Sequence, residues 1–377
     1  MTSYGFLSTY PPTRCGLATF TEALAADLVG PGDEAVIVRV LDVPEPDPAA
    51  PLDGRWSFGA DLVAGSVPSI ERTVQALNGC DVAVVQHEYG IFGGPDGDEV
   101  LEVLRRVRIP VIVVLHTVLT APTPHQREVL TRVCALAETV VVMTRNARDR
   151  LAAGYPVDLH AVRVVPHGVV AEAVALPRLP HVRKRILTWG LLSPGKGIEW
   201  GIRAVDRLSD IRPTVEYVVA GQTHPKVRAR YGEQYREDLQ GLVDDLGLGG
   251  SVALDGRYLD AAELRALLAT ADVVLLPYDS RDQVTSGVLA EAVAAGVPVV
   301  ATRFPHAVEL LAHGAGLLAE QGDPESMARA LRTVLTAADV AERMHVSALR
   351  ETADTSWPAV AARYRSMGAD LIRARAA

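Results

Sequence analysis

The sequence predicts an α/β protein with two domains, each with strands and helices alternating around a parallel sheet. The chain has 377 residues, which is long for one domain, so two domains of roughly 180 residues each are expected. Hydrophobic residues make up 49% and aromatic residues 5%, so the cores must be built from Ala, Val and Leu, which suits βαβ layers. Apolar runs such as Ala271–Pro277 are typical of strands buried on both faces of a parallel sheet.

Composition and charge exclude several classes of function. The formal net charge is −9, whereas a general nucleic-acid binder needs a basic surface. The cysteines Cys15, Cys80 and Cys134 are widely spaced, which indicates free thiols in a reducing cytoplasm rather than disulfides or a zinc site. The N-terminus lacks a signal-peptide pattern, and no apolar run approaches the ~20 residues that span a bilayer. We expect a cytoplasmic protein without metal or cofactor, and peripheral attachment to the inner face of a membrane stays open.

The first domain begins with a strand, a tight turn and a helix. Met1–Thr9 is the predicted strand and Leu17–Leu28 the predicted helix, with Pro11 and Pro12 in the turn between them. Gly16 lies at this strand-to-helix turn. The turn alone can require glycine, and so can close approach of a ligand to the backbone, and the sequence leaves both alternatives open.

Polar residues follow the later buried strands of this domain. The apolar strand Val82–Gln86 runs into His87, and the strand Pro110–Leu115 runs into His116. Because the carboxyl ends of parallel strands meet at one sheet edge, the two histidines are predicted to lie near one site, although either alone is as well explained as a structural histidine. Further elements are predicted at Glu34–Val43, Ile70–Leu77, Glu99–Arg106, Pro124–Ala137, Thr139–Met143, Asn146–Ala153 and Arg163–Pro166.

The second domain repeats the pattern with a glycine-rich loop. The strand Arg185–Trp189 is followed by the loop Gly190–Gly197 (GLLSPGKG) and then by the helix Ile198–Leu208. Such a loop resembles a phosphate cradle, because glycines let the backbone approach and Lys196 supplies a compact charge. The loop is not a Walker motif, since Lys196 is followed by glycine rather than Ser or Thr.

Two more strands of this domain end in glycine or charged residues. Val215–Ala220 ends at Gly221, and Val252–Leu254 is followed by Arg257. A charged helix is expected over residues 228–246, a helix at Ala261–Thr270, and two helices at Ala328–Ala337 and Val340–Arg350.

The stretch Asp279–Glu309 joins a polar loop, a helix and a buried strand. The helix is predicted at Val288–Ala295 and ends at Gly296, and the strand at Val297–Thr302. The helix N-terminus faces the carboxyl edge of the sheet, where its N–H groups and dipole attract anions. Glu291, one turn into this helix, is placed to accept hydrogen bonds from sugar or ribose hydroxyls.

Domain boundaries are placed where the strand–helix alternation ends. Residues 1–170 form the predicted N-terminal domain, 171–184 a linker, and 185–355 the C-terminal domain. The tail 356–377 is expected to be an amphipathic helix that packs back toward the N-terminal domain. Two such domains with ligand-like loops imply a cleft, which is a preferred kind of ligand site.

The order of the motifs carries a family resemblance over nearly the whole chain. The segments PPTRCGLATF, QHEYGIFGG, VVLHT, VPHGV, GLLSPGKG, AGQTHP and QVTSGVLAEAVAAGVPVVAT together resemble the retaining glycosyltransferases of family 4. That resemblance implies the GT-B fold, in which two Rossmann-like domains with parallel sheets face each other across an interdomain cleft.

The resemblance also implies roles for single residues. Lys196 and His116 would contact the donor diphosphate and the transferred sugar, and Glu291 would be the second glutamate of the EX7E motif, which holds the donor ribose. Gln283 stands where that motif has its first glutamate. The remaining donor contacts would be Gly16, which could also face the acceptor, with Gly190, Gly197, Gly221, Arg257, Thr285, Ser286 and Gly287, and the acceptor pocket would be shaped by His87, Glu88 and Tyr89.

Two positions depart from the family pattern. Gln283 keeps hydrogen-bonding ability without charge, and Leu191 stands where the family usually has an arginine. A lost charge-assisted phosphate contact is worth about 1.5–3 kcal/mol, so another cation must compensate. Arg14, Arg257 and Arg281 are candidates that the sequence does not rank.

The expected activity is transfer of a hexose from a nucleotide sugar to a hydroxyl acceptor with retention of configuration. The donor would be a UDP- or GDP-hexose, and the acceptor a glycan, lipid or small molecule. The resemblance implies front-face attack, with the leaving phosphate taking the acceptor's proton, and no metal is expected. Alternatives are a sugar phosphorylase or epimerase of the same fold, and a non-catalytic nucleotide-sugar-binding subunit.

Overall fold

The computed structural model describes residues 1–46, 56–170 and 182–376. The chain divides into two units, one comprising Met1–Gly168 with Trp357–Ala377 and the other Val169–Ser356. Most of the predicted linker, residues 171–181, lies outside the described residues.

The first unit is built on a parallel sheet. Within the described residues its strands are β1 (Ser3–Ser8), β2 (Glu34–Leu41), β3 (Trp56–Val63), β4 (Val82–His87), β5 (Val111–Leu115), β6 (Thr139–Val142) and β7 (Val162–Val164). Their order is β3-β2-β1-β4-β5-β6-β7, and every neighbouring pair is parallel. The order reverses between β1 and β4, and in open α/β sheets ligands bind at the carboxyl edge of such a switch point.

Helices cover both faces of this sheet. They are α1 (Gly16–Leu28), α2 (Val67–Asn78), α3 (Val100–Leu104), α4 (Pro124–Ala135), α5 (Arg145–Gly154) and the C-terminal α14 (Trp357–Ala376). Helix α4 begins with a capping box, in which the side chains of Thr123 and Gln126 bond to each other's backbone N–H groups. Helix α14 packs on α1, with Trp357 and Tyr364 buried beside Phe20 and Phe6.

The second unit repeats this architecture. Its described strands are β8 (Lys184–Trp189), β9 (Val215–Ala220), β10 (Val252–Asp255), β11 (Val273–Leu276), β12 (Val299–Thr302) and β13 (Gly316–Ala319), in the order β10-β9-β8-β11-β12-β13. All pairs are parallel. The switch point lies between β8 and β11, so the glycine-rich loop after β8 and the polar loop after β11 meet at one edge.

The helices of this unit are α6 (Ile198–Asp206), α7 (Pro225–Tyr231), α8 (Gln234–Asp245), α9 (Ala261–Leu268), α10 (Gly287–Ala294), α11 (Pro305–Leu310), α12 (Pro324–Thr336) and α13 (Ala338–Glu351). Helix α10 ends as predicted, because Gly296 takes a left-handed φ of +67° just after the C-cap. Two apolar cores, built from Ala, Val, Leu and Ile with a few aromatics, lie on opposite faces of the sheet.

The predicted elements need correction in five places. The strand β3 was missed, as were β13 and α11. The single helix expected over residues 228–246 is two helices, because Gly232 has φ +62° and a backbone ψ of −140° that ends α7. The predicted helix Glu99–Arg106 is shorter and spans Val100–Leu104.

Two kinds of feature are absent from the described parts of the chain. Across residues 1–46, 56–170 and 182–376 no helix is both long and apolar enough to span a membrane. In the same three segments no group of three or more His, Cys, Asp or Glu side chains is arranged to hold a metal ion.

Candidate active site

The ammonium group of Lys196, in the loop after the carboxyl end of β8, lies over a buried aromatic ring. Its Nζ is 4.1 Å from the ring centroid of Tyr278, the second residue after β11. The ring of Tyr278 is 1% exposed and stacks on Phe304 with centroids 5.0 Å apart. A cation over an aromatic face is attracted by the ring quadrupole, so the ammonium is held at the β8–β11 switch point.

The two loops at this edge are joined through the backbone. Asp279 N–H donates to the carbonyl of Gly195 at 3.0 Å. A Cβ on Gly197 would lie 1.9 Å from the carbonyl oxygen of Pro277, and Gly197 has φ +62°. Glycine at this position is therefore required by the packing of the protein's own backbone.

The N-terminus of α10 carries open donors. Ser286 caps the helix by accepting from Leu289 N–H at 3.2 Å, and its own N–H donates to His306 Nδ1 at 2.8 Å. Of the predicted loop residues Thr285, Ser286 and Gly287, Ser286 thus has its backbone N–H group in a hydrogen bond within the protein. The N–H groups of Gly287 and Val288 have no partner in the described portion of the chain, and these are the donors left for an anion.

Gln283 and Thr285 form the loop that leads into α10. Gln283 Nε2 donates to the carbonyl oxygen of Thr285. The Thr285 side chain is 7% exposed, and its Oγ1 has no partner among the residues described. The amide oxygen of Gln283 thus remains as the acceptor, while the threonine hydroxyl is a buried donor that lacks a partner.

Glu291 lies on α10 against the end of β8. Burial raises the pKa of its carboxyl to about 7, and the hydrogen bond with Trp189 opposes this rise in part. An ideal Cβ on Gly190 would lie 3.5 Å from Val288 Cγ2, which links the same strand end to the start of α10. Lys196, Gly190, Glu291 and the α10 N-terminus therefore converge at one edge of the sheet.

Two further predicted donor residues, Gly221 and Arg257, follow strands β9 and β10. Gly221 has φ +148°, and a Cβ there would lie 1.9 Å from the carbonyl oxygen of Gly190, so the close approach of two strand ends explains this glycine. Arg257 follows the edge strand β10, and its guanidinium pairs with Asp255 at 2.7 Å and with Glu263 at 3.2 Å. Its charge is balanced by these carboxylates.

Arg236 is a cation that the sequence reasoning missed. Its Nη2 donates to the carbonyl oxygen of Gly221, and its Nη1 is buried without a partner in the described chain. Arg236 is on α8, within a charged stretch that reads as a solvated helix face. Tyr278, Trp189 and His306 were missed for a similar reason, since apolar or aromatic context concealed their contacts.

Gly16 behaves differently from the glycines of the second unit. It is the first residue of α1, and an added Cβ would meet nothing within 4 Å. Its φ is outside the left-handed region. The turn therefore does not require glycine here, and close approach of a ligand to Gly16 stays a prediction.

A cluster of uncharged imidazoles lies at the β1–β4 switch point of the first unit. His116 Nε2 is 2.7 Å from Gln86 Oε1, and Phe20 contacts the edges of both His116 and His167 with centroids 5.0 and 5.1 Å away. Burial, followed by the neighbouring His167 and His87, lowers the pKa of His116 to about 3, and burial lowers that of His167 to about 4. Both rings are neutral near pH 7 and can exchange hydrogen bonds with hydroxyls.

His87 and His116 do not share a face of the sheet. Successive strand residues point to opposite faces, and Gln86 is the residue that reaches His116, so His87 points the other way. The His87 ring is 0% exposed, and both its nitrogens lack partners among the described residues. Burial lowers its pKa to about 4. Both residues lie at the carboxyl ends of the paired strands β4 and β5, as predicted, and their sharing of one site stays a prediction.

Glu88 and Tyr89 lie in the loop after β4. Glu88 Oε2 accepts from Thr117 Oγ1 at 2.5 Å, and burial raises the pKa of its carboxyl. Tyr89 OH donates to the carbonyl oxygen of Gln126 at 3.3 Å. The loops that follow β4 and β5 are thus tied to each other and to α4.

Two family models match successive parts of the chain. One, described as Glycosyltransferase Family 4, matches residues 15–173, and the other, described as Glycosyl transferases group 1, matches residues 183–337. Together they span most of both units. The chain is a member of glycosyltransferase family 4. The predicted α/β fold of the GT-B type with two Rossmann-like domains is likewise confirmed by the two parallel sheets and the structural likenesses below.

Curated relatives of this family 4 member are distant. A D-inositol 3-phosphate glycosyltransferase from Corynebacterium glutamicum (strain R) is 28% identical over 294 residues, which is 70% of this chain and 68% of that protein. A GDP-mannose-dependent alpha-(1-6)-phosphatidylinositol monomannoside mannosyltransferase from Mycolicibacterium smegmatis is 29% identical over 272 residues, 68% of this chain and 66% of that protein. The chain thus matches about two thirds of each relative's length.

Solved structures show the same fold. HepE of Anabaena, crystallised with UDP and glucose, has a TM-score of 0.77 and 17% identity, covering 98% of this chain and all of that one. The sucrose-phosphate synthase of Thermosynechococcus elongatus has a TM-score of 0.77 and 18% identity, covering 99% and 100%. At such identities the likeness establishes the fold alone.

Proposed function

We propose that this glycosyltransferase moves a hexosyl group from a nucleoside-diphosphate hexose to a hydroxyl acceptor, with retention of anomeric configuration. The observation that carries the proposal is the convergence of Lys196, the open N–H groups of Gly287 and Val288, and the Glu291 carboxyl at the β8–β11 edge. A cation and helix-terminal amides suit a diphosphate, and a carboxyl one turn away suits the ribose hydroxyls beside it.

Leaving-group stabilisation is the main task assigned to the second unit. Negative charge grows on the departing diphosphate as the glycosidic bond breaks, so fixed positive groups lower the barrier more than they strengthen ground-state binding. Lys196 supplies one full charge, and the α10 N-terminus supplies amide donors. In this proposal those groups take the place of a metal ion.

The first unit is proposed to contact the transferred sugar and the acceptor. His116 is neutral at pH 7 because of its low pKa, so its role is to hydrogen-bond a sugar hydroxyl rather than to supply charge. Glu88 has a raised pKa and is proposed to accept a hydrogen bond from the acceptor hydroxyl. We assign the uptake of the acceptor's proton to the leaving phosphate, in line with retention in the family.

The donor screen follows from the printed names of similar proteins. GDP-mannose serves the mycobacterial relative, and UDP-glucose was crystallised with HepE. Both are tested in thermal-shift and turnover assays, since a ligand at 100 times its Kd adds about 2.7 kcal/mol of stability. Retention is read from the anomeric configuration of the product by NMR.

A matched pair of lysine variants tests the diphosphate assignment. Lys196→Ala should lower kcat by about 100-fold, within the range found when one transition-state donor is removed. Lys184→Ala is the control, because Lys184 pairs with Asp272 at 3.8 Å at the opposite end of β8 and should leave turnover unchanged. Undiminished turnover of Lys196→Ala would contradict the proposal.

Two other outcomes would favour the alternative functions. Turnover that needs phosphate but no nucleotide sugar would indicate a phosphorylase, and donor binding without transfer or hydrolysis would indicate a binding subunit.

A further inference from the structure

One residue of α11 holds both ends of the loop Gln283–Ser286. The backbone N–H of His306 donates to the carbonyl oxygen of Gln283 at 3.3 Å. Its imidazole Nδ1 lies 2.8 Å from the N–H of Ser286. His306 is 6% exposed and Ser286 is 4% exposed, so bulk water does not substitute for either bond.

The second bond dictates the state of the imidazole. A backbone N–H can only donate, so Nδ1 of His306 must carry a lone pair. The ring is therefore neutral with its proton on Nε2, because an imidazolium would set two N–H groups against each other. The geometry selects one tautomer without reference to any pKa.

The same bond shapes the entrance of α10. The first N–H groups of a helix lack intrahelical partners and turn toward whatever acceptor is near. His306 captures the N–H of Ser286, and Ser286 Oγ captures that of Leu289. The N–H groups of Gly287 and Val288 lie between these two fixed points, so they alone remain at the mouth of the helix in the described chain.

We propose that His306 is a positioning residue that holds the donor loop in its binding geometry through the Nε2–H tautomer. The inference rests on the proposed function, since it assigns diphosphate recognition to the amides of Gly287 and Val288. His306 does not contact the substrate. It acts by fixing the direction of the backbone that does.

His345 provides a matched control at the other end of α10. Its Nδ1 lies 2.8 Å from the carbonyl oxygen of Gly296, so this nitrogen must donate and carry the proton. His345 is also partly buried and also bonds to the backbone of the second unit. It differs from His306 in its tautomer and in its distance along the helix from the donor loop.

The tautomers are measured first, on the wild-type protein. Two-bond ¹H–¹⁵N correlation spectra of ¹⁵N-histidine-labelled protein distinguish the two neutral forms, and the spectra of His306→Asn and His345→Leu assign the two signals among the ten histidines. We expect Nε2–H for His306 and Nδ1–H for His345. An Nδ1–H or doubly protonated His306 at pH 7.5 overturns the proposal, and this measurement needs no enzyme activity.

Substitutions then test positioning. His306→Leu removes the acceptor and should raise the donor KM about tenfold with the acceptor KM unchanged, whereas His306→Asn keeps an acceptor oxygen near Nδ1 and should stay within about twofold of wild type. His345→Leu should lower the thermal midpoint without moving the donor KM. The proposal is overturned if the donor KM of His306→Leu equals that of wild type. It is also overturned if the donor KM of His306→Asn is as high as that of His306→Leu. If His306→Leu does not fold, the tautomer result and the His306→Asn kinetics decide. A wild-type protein that neither binds nor turns over nucleotide sugars would instead refute the proposed function.

Discussion

Glu291→Gln should make the ligand-free protein more stable at alkaline pH and should lower its affinity for the donor. Burial raises the pKa of this carboxyl from its ordinary 4.5 to about 7. Between these values the folded state binds the proton more tightly than the unfolded chain, so stability falls as pH rises through about 7. The stability that the protonated carboxyl contributes is fully present below about pH 4 and lost above about pH 8.

The size of the effect follows from the pKa difference. Each pKa unit corresponds to about 1.4 kcal/mol, so the ionised carboxylate costs at most about 3 kcal/mol of unfolding free energy at pH 8. Glutamine has nearly the same shape and can still accept from the Trp189 indole, so Glu291→Gln removes the cost without leaving a cavity. At pH 4 the two proteins should be equally stable.

Urea unfolding at pH 5 and pH 8 measures this stability difference. Glu342→Gln is the control, because Glu342 is exposed on α13 and the variant removes the same charge from the surface. A Glu291→Gln midpoint equal to that of wild type at pH 8 would refute the reasoning. So would a gain in midpoint that is larger at pH 5 than at pH 8.

Glu291→Gln should weaken donor binding, although it stabilises the ligand-free protein. If the ribose hydroxyls donate to an ionised Glu291 whose pKa is about 7, wild-type affinity falls about fivefold between pH 7 and pH 6, because one proton competes with the ligand. The Glu291→Gln protein loses a hydrogen bond to a charged group, which costs about 1.5–3 kcal/mol, and its weaker affinity should not depend on pH in this range. Calorimetric titration with UDP or GDP at pH 6, 7 and 8 gives the comparison, and a variant with wild-type affinity at pH 8 would remove Glu291 from the donor site.

Three further predictions concern the aromatic ring beneath Lys196, the glycines and metal dependence. Tyr278→Phe keeps the ring beneath Lys196 and should leave the donor KM near wild type, whereas Tyr278→Leu should raise it about three- to tenfold, and equal KM values would exclude the cation–π contact as a support. Gly221→Ala should destabilise the protein by about 3 kcal/mol or more in urea unfolding, because its Cβ would collide with the Gly190 carbonyl, while Gly16→Ala should fold normally and lose donor or acceptor affinity. Transfer should survive exhaustive EDTA treatment, and a loss of rate that Mg²⁺ restores would contradict the proposed leaving-group stabilisation.

The second unit shows how far sequence patterns reach. The strand β8, its glycine-rich loop, α6 and α10 with its left-handed Gly296 all follow local rules, and each lies within a few residues of its predicted place. The same rules place Lys196 and Glu291 at the carboxyl edge. Local patterning is enough for these features because each depends on residues close together in the chain.

The missed strand β3 shows where those rules fail. Its sequence, WSFGADLV, contains a glycine and an aspartate that weaken any strand pattern. Both have long-range causes: a Cβ on Gly59 would lie 2.3 Å from Val36 Cγ1, and Asp61 pairs with Arg39, which is 1% exposed in β2. Neither partner can be recognised before the pairing of β2 with β3 is known.

The raised pKa of Glu291 has the same kind of origin. Its indole partner, Trp189, is about a hundred residues earlier in the chain, and the two meet because β8 pairs with β11, the strand that leads into α10. The resemblance to the family motif predicts that Glu291 contacts the ribose, but it does not predict the charge of the carboxyl. The order of strands in the sheet determines its burial, and burial sets the fraction that is ionised at pH 7. The predicted pH dependence of donor binding thus follows from the sheet topology, and the Glu291→Gln comparison therefore tests the fold and the site together.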